Sequence, residues 1–76
     1  MACDHRKALD LAKAGDWHGA HEQVQEFGDP ASCLIHAYLH RVEGDEENAR
    51  YWYDRAGAKP FTGSHEEELA HLYAAL

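Results

Sequence analysis

The sequence predicts an all-α domain of five short helices. Apolar residues recur at spacings of three and four along the chain. Helix starts and stops are marked by capping residues, while no alternating run of β-branched residues signals a strand. A pattern of small residues and turns also repeats 29 residues on, from Ala8 to Ala37 and from Gly15 to Gly44. The 76 residues make one domain over 1–76, near the size at which a single core barely offsets chain entropy. A hydrophobic content of 45% suffices for that core and argues against disorder.

The elements follow in order. The first helix runs from about Asp4 to Ala14, carries Ala8, Leu9, Leu11 and Ala12 as its apolar positions, and ends at Gly15. Asp16 caps a second helix, Trp17 to Phe27, whose Ala20, Val24 and Phe27 form one stripe before Gly28 stops it. Asp29-Pro30 opens a third, with proline at the first helical position where its missing N–H costs nothing. That helix continues through Cys33, Leu34, Ile35, Tyr38, Leu39 and Val42 to Gly44. Asp45 caps a fourth that reaches Ala56, with Gly57 as its stop. Ser64 and Glu67 form a capping box for a last helix ending at Leu76.

The repeat joins these pieces. Ala8, Gly15, Asp16 and Ala20 return as Ala37, Gly44, Asp45 and Ala49, and Gly28 returns as Gly57. Each copy reads helix, Gly-Asp turn, helix, with a small residue on both helices where they cross. Small residues there let two helices approach closely while larger ones fill the space further along.

Ala37, Gly44-Asp45, Ala49, Tyr53, Ala56 and Pro60 resemble the tetratricopeptide signature, and Ala8, Leu11, Gly15-Asp16, Ala20 and Phe27 resemble it more loosely. The unit is shorter than the family's usual repeat of about 34 residues. The resemblance implies two antiparallel helix-turn-helix pairs in a right-handed stack, repeat 1 over about 2–28 and repeat 2 over about 30–58. Residues 64–76 would then be the C-terminal capping helix. The strings Trp17-x-x-Ala20-His21, Leu39 to Asp45 and Asn48 to Tyr53 are further similar to small uncharacterised bacterial proteins of this type, which lend the fold and no activity.

The same resemblance implies a groove lined by His5, Leu9, Ala12 and Lys13, then Leu34, Tyr38 and Arg41. Chaperone-binding members clamp a terminal carboxylate with lysine and asparagine, but Leu9 and Tyr38 stand at the asparagine places here. The expected occupant is an apolar peptide, a protein partner or a second copy of the chain as a weak homodimer. Tyr51, pushed outward by Trp52 and Tyr53 and next to Arg50, has the composition of an interface residue.

Fourteen acidic against seven basic residues give a formal charge of -7, which would repel a phosphate backbone or an anionic membrane. The N-terminal residues lack the apolar run of a signal peptide, and two cysteines are too few to staple a secreted mini-domain. A cytoplasmic protein with reduced thiols is expected.

Chemistry centres on the histidines. His36 and His40 are four apart on the third helix, Cys33 precedes them by one turn, and His18 and His21 are three apart on the second. Such pairs hold transition metals from one helix face, zinc among them, and facing pairs could complete four ligands. The plainer reading makes His36 and His40 structural, filling the last face of a helix buried all round. A Cys33-His36 nucleophile lacks a third orienting group, and no known catalytic motif is present, so an enzyme is not expected. The acidic runs at Glu43 to Glu47 and Glu66 to Glu68 read as solvated turns and first helical turns. The sequence therefore predicts a small interaction module without a required cofactor, with a histidine-based metal or small-ligand binder as the alternative.

Overall fold

Each helix begins where an acidic or hydroxyl side chain caps it. Asp4, Asp16, Asp29, Asp45 and Ser64 accept hydrogen bonds from the backbone N–H groups of Lys7, Gly19, Ser32, Asn48 and Glu67. The structure, a computed structural model, describes residues 2–76. Its elements are α1 (His5–Lys13), α2 (Trp17–Val24), α3 (Pro30–Val42), α4 (Glu46–Ala56) and α5 (His65–Ala75). Among the described residues there is no strand. Nor, among them, is any helix long and apolar enough to cross a membrane.

The largest departure from expectation is α2, which stops at Val24 and not at Phe27. The Phe27 N–H turns back to the Val24 carbonyl in a tight turn, and Phe27 packs against the core from outside the helix. The two Gly-Asp turns are alike. Gly15 and Gly44 have φ of 86° and 89°, and the Asp16 and Asp45 N–H groups reach back to the carbonyls of Leu11 and His40, each at 2.9 Å. That six-to-one bond closes a Schellman motif, which requires a left-handed residue that glycine supplies without steric penalty.

Side-chain burial follows from α3, which touches all four other helices. It packs most extensively on α4, while α1 packs mainly on α2. Ala8 and Ala20 are fully buried, as are Ala37 and Ala49. Leu9, Val24, Ile35, Tyr38, Leu39 and Leu72 form the main core, while Ala37, Ala49 and Tyr53 form a second cluster bridged to it by Leu34.

Helix α5 packs against α1 and α3, over residues expected to line a groove. Leu9 and Tyr38 are 1% and 6% exposed and lie in one core with Leu72 of α5. Arg41 donates to Glu68 of α5 at 2.7 Å and to the Gly63 carbonyl at 2.6 Å. Tyr73 of α5 donates to Asp10 at 2.6 Å, with Lys13 and Arg6 over its ring. The helix expected to cap the stack thus lies on the face expected to bind a peptide. Apolar Leu69, Leu72 and Tyr73 seek the same cover that a partner would supply.

Among the described residues Glu68 is the one buried carboxylate, 2% exposed. It accepts from Arg41 and from the Tyr53 hydroxyl. Burial, followed by that bond and the charge of Glu68, pushes the Tyr53 phenol well above its ordinary range. Removing Arg41 strands a buried charge, which typically destabilises by about 3–5 kcal/mol. Arg41→Ala is accordingly expected to bring the urea midpoint down by an amount equivalent to about 3 kcal/mol. Gly44→Ala tests the turn: no atom lies within 4 Å of an added Cβ, so only backbone strain remains, about 1–2 kcal/mol. Gly44→Asn should lose less, and equal losses for alanine and asparagine in urea melts would contradict the left-handed requirement.

Candidate metal centre

Helices α2 and α3 meet along a line of rings. Trp17 opens α2 and donates its indole N–H to the Leu39 carbonyl of α3 at 2.6 Å, which fixes the register of the two helices. One turn further along α2, His21 faces His36 and His40, which share one face of α3. The His21 ring is 4.6 Å from His36 and 5.5 Å from His40, nearly perpendicular to both, and the two α3 rings stack at 4.9 Å. Tryptophans close the ends: Trp17 stacks on His21 at 4.8 Å and Trp52 of α4 stacks on His36 at 3.8 Å.

One ligand nitrogen from each of His21, His36 and His40 lies within 4.8 Å of the others. Tetrahedral nitrogens bound at about 2.0–2.1 Å sit about 3.4 Å apart. Coordination would draw the nitrogens together by up to about 1.4 Å. His36 and His40 are 3% and 7% exposed, and His21 is half-buried.

Hydrogen bonding distinguishes the three rings. His40 Nδ1 is 2.7 Å from a Glu43 carboxylate oxygen. A carboxylate only accepts, so Nδ1 carries the proton, and in the neutral ring Nε2 presents its lone pair. This carboxylate–histidine arrangement is the one that orients metal-bound imidazoles. His36 Nδ1 is buried with no hydrogen-bond partner, alone in this among the described side chains. An unsatisfied buried polar atom costs about 1–3 kcal/mol.

Two of the three rings, His36 and His21, also resist protonation. Burial, then the neighbouring His21 and His40, lowers the His36 pKa to about 3. Burial and His40 lower that of His21 as well, against the pull of Glu43. Neutral imidazoles are the form that binds a metal cation, because a proton and a metal compete for the same lone pair.

The remaining residues singled out from the sequence serve elsewhere. Cys33 is fully buried and stands outside the triad; burial raises its thiol pKa, which opposes a nucleophilic role. His18 is exposed, edge-on to Trp17, and does not supply the fourth ligand that facing pairs suggested. His5 bonds Asp29 at 2.9 Å and Ser32 at 3.1 Å, tying α1 to the start of α3. Lys13 is exposed beside Tyr73, and Leu34 is half-buried between the two apolar clusters. Tyr51 is exposed as expected, though its hydroxyl accepts from Arg55 rather than meeting Arg50. A surface hollow of about 350 Å³ lined by Arg41, Arg50, Tyr53 and Phe61 shares no residue with the triad, and its Arg41 is already committed to Glu68.

Sequence reasoning missed Glu43, read as part of a solvated turn. Its position three residues after His40 was the available signal. That reasoning placed Trp52 on the inner stripe of the fourth helix and connected neither tryptophan to the histidines. Comparison with known proteins finds no family model, no curated protein and no solved structure that matches the chain, and function is read from the side chains themselves.

The depressed His36 pKa sets a pH dependence. Unfolded, His36 takes a proton below about 6.5; folded, it stays neutral down to about 3. The unfolded state binds the extra proton between those values, so stability falls as pH drops through this window, by up to about 1.4 kcal/mol per pH unit. His36→Leu removes this linkage and the unpartnered nitrogen together. Urea midpoints for the variant should decline less steeply than wild type between neutral pH and pH of about 4; parallel lines would contradict the assignment.

Proposed function

We propose that this chain binds one divalent transition-metal ion, zinc or a borderline relative, through His21, His36 and His40. The observation that carries the reading is the unpartnered, buried His36 Nδ1 inside a cluster of three imidazoles. Packing alone explains stacked rings but not a polar atom left unanswered beside two others. A metal answers it, since the coordinated lone pair no longer lacks a partner. All-nitrogen donors suit zinc, copper(II), nickel or iron and disfavour soft copper(I) or hard calcium.

The helix arrangement supports a second, architectural part of the reading. Two turns of the same geometry, each followed by an aspartate cap, join helices whose alanines are buried, Ala8 with Ala20 and Ala37 with Ala49. These features favour two antiparallel hairpins of tetratricopeptide type in a right-handed stack. A peptide-binding role would require α5 to leave its place, which makes the metal reading the better supported of the two.

Calorimetric titration of the metal-free protein at neutral pH tests the proposal. One zinc ion per chain is expected, at micromolar affinity or tighter. Glu43→Gln should weaken binding by about tenfold, and His36→Leu or His40→Leu should abolish it. Zinc at a hundredfold excess over Kd should add about 2.7 kcal/mol to stability. A folded wild type that takes up none of zinc, cobalt(II) or nickel(II) at sub-millimolar concentration would overturn the reading.

A further inference from the structure

Resting on the metal site proposed above, we infer that the bound ion keeps one coordination position open to solvent, where it takes a water molecule or a small monodentate anion. Among the described residues the donor group ends at three, His21, His36 and His40. The nearby acid, Glu43, is engaged at 2.7 Å with His40 Nδ1 and orients that ring. Cys33, His18 and the exposed Glu22, the other donors on these helices, stand outside the group. Structural zinc sites close with four protein ligands, while sites that bind exogenous ligands keep three and leave a vertex free.

Burial tells where that vertex points. His36 and His40 are covered, with Trp52 stacked against His36. His21 on α2 is the half-buried member. Solvent therefore reaches the ion past His21, and the free vertex lies on that side. Charge tells what it takes. Imidazole is an uncharged ligand, so three of them leave the dication's charge intact, and the single Glu43 carboxylate beyond His40 offsets only part of it. The remaining positive charge selects an anion, or a water molecule acidified to a pKa of about 7 in zinc sites of this ligand type.

Cobalt(II) and azide provide the test. Cobalt is loaded to one equivalent, its visible absorption bands are recorded, and azide is added to tens of millimolar. The expected result is a saturable band shift, together with a band shift on pH titration near neutrality in the absence of azide. Cobalt bound at one equivalent with bands indifferent to azide would overturn the inference while leaving the metal site standing. Bands that respond only in Glu43→Gln would also overturn it, by assigning the fourth position to Glu43. A cobalt-dependent dimer in sedimentation, with bands indifferent to azide, would overturn it by assigning that position to a second copy. Failure of the wild type to bind cobalt at all would remove the metal reading and this inference together.

Discussion

The structure depends on one constraint: α3 touches every other helix and has almost no solvent face. A helix in that position must answer each polar side chain from within the protein. Ser32 is answered by Asp29 and His5, Arg41 by Glu68 and the Gly63 carbonyl, and His40 by Glu43. These bonds hold α1, α5 and the loop before α5 to the central helix. His36 is the exception: its buried Nδ1 has no partner.

Local chemistry was legible in the sequence because it is local. Aspartate and serine caps, the Pro30 start and the glycine stops each act within one turn, and all five helices begin within a residue of the capping side chain. The C-terminal end of α2 was not legible: Val24 and Phe27 share a stripe whether or not the helix continues between them. The path of α5 was hidden for a different reason. Its apolar Leu69, Leu72 and Tyr73 state that it must be covered, but nothing local says whether the end of a stack or its inner face provides the cover.

The candidate site was half-legible. The spacing of His36 and His40 put both on one face, and His21 was already a possible partner. Facing them required the tertiary contact of α2 with α3, which the Trp17–Leu39 hydrogen bond fixes and no sequence rule specifies. The exclusion of Cys33 is equally tertiary. At one turn before His36 it belongs to the same helix surface in projection, yet the donor group assembles without it.

Both tryptophans of this chain stack on rings of that triad, Trp17 on His21 and Trp52 on His36. Indole emission is sensitive to the charge and electron-accepting character of whatever ring lies against it. The protein's tryptophan fluorescence consequently originates from a single neighbourhood, with no third indole elsewhere to dilute it. Whatever enters or leaves between α2 and α3 is reported by an intrinsic optical probe already built into the fold.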